Sequence, residues 1–254
     1  IILQKPMALS LEEADRIVAA VERHSVPFTM AWQMRVDPQN LEMKRLVESG
    51  AIGRVLNLRR RHGLATHLWA GFDESWHVQP ELNGNMWLDD AAHAVDFVYW
   101  FLGAPLSVTA EIESLLNPRI PFDNGVALFR YENGPLAEIA CSFTCAAGQN
   151  TTEIIGESGV ILQDYGDAPS CNAPRHGGPS GLRWYLAEKG EWTDSDIPSP
   201  GNHGERIAGL ATPLADFLQG RRPPIASAAE GRTSLALALA TLESSRTGSR
   251  ISCD

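Results

Sequence analysis

The sequence predicts an α+β fold: an open antiparallel β-sheet with one face buried under helices. Three observations lead there. From Val108 to Trp192 apolar residues recur at every second position in short runs parted by turn residues, the pattern of half-buried antiparallel strands. Runs with helical spacing stand before and after this stretch rather than alternating with its strands, so the sheet is a meander and not a set of βαβ units. A chain of 254 residues, 44% hydrophobic and 20% charged, is long enough for a full core and is neither disordered nor fibrous.

The elements follow in order. Ser10-Leu11-Glu12-Glu13 is a capping box, and Leu11, Ala14, Ile17, Val18 and Val21 recur at helical spacing, which predicts a helix over 11–23. Residues 27–34 are β-prone. Asp37-Pro38 places an N-cap before a proline at the first helical position, opening a second helix that stops at Gly50, with a strand from about Arg54. Residues 62–87 show no sustained period but carry His62, His67, His77, Trp69, Trp76 and Trp87. A loop that long inside a compact domain is functional or disordered, and disordered segments are poor in aromatics, so function is the reading here.

Asp89 to Leu102 reads as a helix closed by Gly103 and Pro105. Strands are expected around 108–112, 126–130 and 139–143, in a pair broken by Gly156-Glu157-Ser158-Gly159, and in another broken by Lys189-Gly190. Residues 170–181, rich in glycine and proline, read as a surface excursion. Helices over about 205–219 and 228–245 close the chain.

Charge and composition exclude several functions. With Lys plus Arg at 21 against Asp plus Glu at 31, the net charge of −10 repels a phosphate backbone, so no nucleic-acid partner is expected. The most apolar window, 91–110, contains His93, Asp96 and a Gly103-Ala104-Pro105 break, and no membrane span is read there. Cys141, Cys145, Cys171 and Cys253 form no C-x-x-C pair, which favours packed thiols over a metal site and a reduced, cytoplasmic setting. The chain opens Ile1-Ile2-Leu3 without a signal peptide, as if entered partway along a strand.

Common catalytic motifs, including the glycine-rich nucleotide turn, are absent. The strongest constellation is Asp89, His93, Asp96 and Trp100, spaced to stack on one side of a helix whose other side is Val95, Val98, Tyr99 and Leu102. Buried carboxylates beside an imidazole are costly unless paired, and acid–base sites are built this way. Three readings stay open: a proton-transfer site, a helix capped by Asp89 or Asp90 with His93 bonded to Asp96, and, less favoured, a metal site with His77 or His67 completing the shell. Lys5 is either a cation positioned at a strand end or a solvated lysine.

Three segments carry a family resemblance. "ILQKPMALSLEEADRIVAA" resembles the E-K-P segment and following helix of the Gfo/Idh/MocA oxidoreductases, "AWQMRVDPQNLEMKRLVESGAIGRV" their next strand, helix and Gly-x-x-Gly turn, and "WLDDAAHAVDFVYWFLG" their D-x-x-x-H helix; "GSRIS" is similar to their ending. The resemblance implies that residues 1–34 are the tail of a Rossmann-type dinucleotide-binding domain and 35–254 a substrate-binding and oligomerisation domain. It also implies a glycine-rich βαβ half of about 100 residues before Ile1.

The function it implies is NAD- or NADP-dependent hydride transfer to or from a sugar, cyclitol or related polyol. Lys5, Asp89 and His93 fall on the catalytic positions: His93 as general base, Asp89 as its orienter or relay, Lys5 as the cation that stabilises alkoxide, with Lys5 and Pro6 against the cofactor. Trp69, Trp76, His67 and His77 are the expected substrate contacts, no metal is expected, and the open sheet face would join a homodimer or homotetramer. One departure is Gln4, where the family carries glutamate. The alternative is a non-catalytic sensor or assembly protein on the same fold.

Overall fold

The computed structural model describes residues 1–116, 121–132, 134–164 and 181–253; most of the expected excursion over 170–181, Cys171 included, lies outside them. Ile2–Leu3 (β1), Leu11–His24 (α1) and Thr29–Met30 (β2) form a strand–helix–strand unit with β1 and β2 parallel. Ser10 caps α1 by accepting the Glu13 N–H, as the capping box predicts. Asp37 caps Pro38–Glu48 (α2) by accepting the Gln39 and Asn40 N–H groups at 3.0 and 3.4 Å.

Val55–Gly63 (β3) leads into short 3₁₀ turns at Thr66–Leu68, Phe72–Glu74 and Trp76–Val78 and a one-turn helix at Pro80–Asn83 (α3). Trp87–Ala91 is a π-helical turn running into Ala92–Leu102 (α4). The remaining strands are Ser107–Glu113 (β4), Asn124–Arg130 (β5), Leu136–Ser142 (β6), Gln149–Gly156 (β7), Gly159–Asp164 (β8), Gly181–Leu186 (β9), Glu191–Asp194 (β10) and Ile251–Ser252 (β11). His203–Ala208 (α5), Ala211–Leu218 (α6) and Ala228–Thr247 (α7) complete the order.

The large sheet has nine strands in the order β10-β9-β8-β7-β3-β6-β5-β4-β11. Its neighbours pair antiparallel except β3 and β6, which run parallel with Arg60 opposite Ile139. The α+β expectation holds, and the meander has one departure: β3 is inserted between the consecutive strands β6 and β7. One sheet face is buried under α4 and α7 through Leu58, Ile139, Phe129, Ile112 and Ile154. The other carries exposed Val126, Leu128, Leu136 and Trp192 among ion pairs such as Arg59 with Glu153 at 3.4 Å.

Local expectations fail in three places, each for a physical reason. The strand over 27–34 shrinks to β2 because the chain turns at Gln33–Arg35 to send Arg35 inward. The helix over 205–219 is two helices, since Pro213 has no N–H for the carbonyl four residues back and the helix restarts at Ala211. The helix expected from Asp89 begins earlier, as a π turn where the Asn85 side chain accepts from the Leu88 N–H at 2.8 Å, so neither Asp89 nor Asp90 is a cap.

Behind α4 lies a fully paired polar cluster. Arg35 meets both Asp96 oxygens at 2.9 and 2.8 Å and Glu230 at 2.6 Å, and Ser234 donates to Asp96 at 2.7 Å. This overturns the expected His93–Asp96 bond and ties the segment before α2 to α4 and α7. Trp87, one of the aromatics expected to serve the loop, is core: it is fully buried, donates Nε1–H to Thr241 and lies so close to β5 that a Cβ at Gly125 would come within 2.5 Å of its ring.

Candidate active site

The parallel pair β1–β2 ends at a cavity of about 550 Å³, with Gln4 and Lys5 from the first strand end and Gln33 and Met34 beyond the second forming one wall. The carboxyl ends of parallel strands are where α/β units present ligands. Lys5 is not a solvated lysine: its side chain is 15% exposed and its ammonium donates to the Asp89 carboxylate at 2.8 Å and the Asp89 carbonyl at 2.6 Å. The second Asp89 oxygen is 2.7 Å from His77 Nδ1.

The π turn decides which carboxylate faces which partner. A regular helix would stack Asp89 over His93, but the widened turn leaves both Asp89 oxygens with Lys5 and His77. The next residue, Asp90, faces His62 Nε2 at 3.5 Å and His93 Nε2 at 4.0 Å. The expectation that Asp89 orients His93 is thereby corrected. His93 itself is buried, 3.2 Å from Gln33 Nε2, edge-on to Trp32 and stacked with His62.

Burial pushes the pKa of His93 well below the ordinary histidine value; the cations Lys5 and Arg206 and the neighbouring His62 ring add to this and Asp90 opposes it. The ring is therefore neutral at pH 7. Burial works against a charged Asp90, but its contact with His62 and the nearby Lys5 and His93 outweigh that and hold it well below the usual carboxylate range. Burial raises the Cys141 thiol, which stays protonated in the core.

Of the expected substrate contacts, Trp69, Trp76 and His77 line the cavity, with Trp76 stacked on His77 at 3.8 Å between ring centres. His67 does not line it, since the Thr66–Leu68 turn carries the ring aside. Pro6 also points elsewhere, bordering a small interior void with Trp32 and Leu88. Gln33, His62, Asp90 and Arg206 are wall residues that the sequence reading did not assign to the site. The available signals were weak: His62 shares strand parity with Leu58, and Asp90 is the second half of an Asp-Asp pair. Among the described residues no three His, Cys, Asp or Glu side chains are placed to hold a metal ion.

Fold and cavity together define an α+β ligand-binding domain with a lysine, two carboxylates and imidazoles gathered on one cavity. Residues 40–162 match the GFO/IDH/MocA C-terminal domain. That stretch is just under half of the chain, and through it the chain is similar to the Gfo/Idh/MocA family.

Individual proteins are similar as well. Inositol 2-dehydrogenase 2 of Saccharopolyspora erythraea is 29% identical over 168 residues, which are 63% of this chain and 46% of that protein. A levoglucosan dehydrogenase solved with NADH and levoglucosan superposes with a TM-score of 0.82 at 20% identity, over 100% of this chain and 73% of that one. An oxidoreductase from Agrobacterium radiobacter, solved with NAD+, L-tartaric acid and magnesium, gives 0.81 at 22% identity over 99% of this chain and 72% of that one. The chain spans about half the length of several curated relatives, such as 48% and 47% of two Bacillus subtilis proteins. No helix among the described residues is long and apolar enough to cross a membrane.

Proposed function

We propose that this chain is the substrate-binding part of an NAD- or NADP-dependent oxidoreductase acting on a sugar, cyclitol or related polyol. The observation that carries the reading is the Lys5 ammonium held on Asp89 at the end of a parallel strand pair, in one cavity with a neutral, buried His93. Residues 1–34 serve as the tail of the dinucleotide-binding domain, and the cavity rim at Gln4 and Lys5 suits the nicotinamide end of the cofactor. When bound, the nicotinamide supplies the two-electron acceptor.

Each residue then has a task. Neutral His93 takes the proton of the reacting hydroxyl, and Lys5 stabilises the alkoxide that develops. Asp89 fixes Lys5 through two bonds, so the ammonium cannot swing to solvent. Trp69 and Trp76, 46% and 49% exposed, offer apolar faces to a ring, and His77 a hydroxyl partner. Assembly as a homodimer or homotetramer through the exposed leucines of the open sheet is part of the same reading, and a monomer by light scattering would count against it.

The test is turnover by the protein with any chain its gene encodes before Ile1, assayed with NAD+ and NADP+ against myo-inositol, levoglucosan and D-glucose. Turnover is expected to drop about 10²–10³-fold in Lys5→Met and about 10²–10⁴-fold in His93→Asn, with both variants folded. Wild-type protein that reduces neither cofactor with any polyol would move the sensor reading ahead.

A further inference from the structure

Asp89 and Asp90 are neighbours in sequence, yet the π turn directs them to different partners. Asp89 is saturated, one oxygen with Lys5 and the other with His77. Asp90 sits across from the imidazole pair: His62 and His93 are stacked with centres 6.1 Å apart at 29°, and one oxygen of Asp90 lies 3.5 and 4.0 Å from their Nε2 atoms. Its side chain is 16% exposed and on the cavity wall, where water screens a charge pair only weakly.

We propose that Asp90, and not Asp89, is the carboxylate that stabilises His93 once it has taken a proton, with His62 holding Asp90 in place. The inference rests on the oxidoreductase reading above. As the O–H bond of the substrate breaks, its proton passes to the imidazole. The C–H electron pair leaves as hydride, reducing the oxidised nicotinamide, and the C–O bond becomes a carbonyl.

The new imidazolium then faces the cations Lys5 from the β1 end and Arg206 from α5 and the His62 ring from β3, while Gln33 and Trp32 bring no charge. Asp90 is the anion set against them. Without it the ring would be a poorer proton acceptor in a positive surrounding. Asp90 acts through His93 and is a positioning residue.

Two readouts test this, one without turnover. The His93 ring is followed by ¹⁵N NMR from pH 8 to pH 4 in wild type, Asp90→Asn and Asp89→Asn. Asp90→Asn is expected to lower the midpoint by about one pH unit or more, and Asp89→Asn to move it less. An equal or larger displacement by Asp89→Asn overturns the proposal, as does a ring that stays neutral to pH 4 in wild type and Asp90→Asn alike. In turnover, Asp90→Asn is expected to cut kcat at least about tenfold while the acid limb of kcat/KM moves to lower pH, and Asp90→Glu to recover part of the rate. An unchanged limb overturns the proposal. Absence of turnover in the wild type overturns the oxidoreductase reading instead, and the NMR displacement separates that failure from this one.

Discussion

Within a single turn of α4 the protein builds two buried polar clusters to opposite standards. Asp96 has both oxygens on Arg35 and a third bond from Ser234, with Glu230 closing the far side of the guanidinium. Around His93 the polar atoms are left short: His93 Nδ1, His62 Nδ1 and the Gln33 side-chain amide oxygen are buried with no hydrogen-bond partner among the described residues. Each such atom costs about 1–3 kcal/mol. Saturated groups hold secondary structure together, whereas groups kept short of partners in a cavity are prepared for something that arrives. The scaffold cluster is organised by a guanidinium that fills every acceptor it faces, the site by imidazoles that leave theirs open, so completeness of pairing separates scaffold from site along with residue type.

The sharpest way to break that contrast is to remove Arg35. Arg35→Met leaves Asp96 buried without the cation that opposes its desolvation, and chemical denaturation is expected to show a loss of about 3–5 kcal/mol. If the cluster is scaffold, turnover per folded molecule survives; a stable but inactive Arg35→Met would put Arg35 in the site. Trp87→Ala and Trp76→Ala repeat the comparison with one side chain type. The fully buried Trp87 should cost about 3–5 kcal/mol on truncation, whereas Trp76, half exposed over His77, should leave the melting temperature nearly unchanged and raise KM. A large stability loss in Trp76→Ala with unchanged KM would make it core.

A pH measurement sharpens the contrast further. His93 titrates well below its unfolded value of about 6.5. The unfolded chain therefore takes a proton there before the folded one does. Its contribution to stability is complete above pH 6.5 and is lost as pH falls from there toward the depressed folded value, at up to about 1.4 kcal/mol per pH unit. Stability curves of wild type and His93→Asn should diverge over that window, and parallel curves would show that the ring is no longer held neutral. The smallest effect belongs to the surface: Arg54→Ala, which removes the exposed pair with Glu157, should change stability by less than about 1 kcal/mol.

Much of this was legible beforehand because it is local. Ser10 and Asp37 announce α1 and α2 through their own bonds, and alternation in β4, β5 and β6 tracks burial of every second residue. Lys5, Asp89 and His93 could be named from resemblance to known segments. What stayed hidden was long-range or turned on one inserted residue. The place of β3 between β6 and β7 leaves no trace in its own periodicity. The π turn alters which face Asp89 presents without altering the spacing that suggests a stripe, so spacing matches Asp89 to the wrong imidazole and offers Asp90 only as one of two alternative caps. His62 was noticed only as one histidine of a loop, although it belongs to β3.

The position of β3 also sets an order of events in time. Hairpins β4–β5, β5–β6 and β7–β8 join neighbours in the chain and can close early, but β3 must find Ala137, Ile139 and Cys141 on one side and Asn150, Thr152 and Ile154 on the other. Those partners are synthesised long after it. Contacts of such separation close late, because the loop entropy must be met before they stabilise anything. β3 delivers His62 to the cavity, so that wall is assembled after most of the sheet exists. A chain arrested before that insertion would carry two half-sheets with bare edges at β6 and β7, each able to pair with the β3 of another copy.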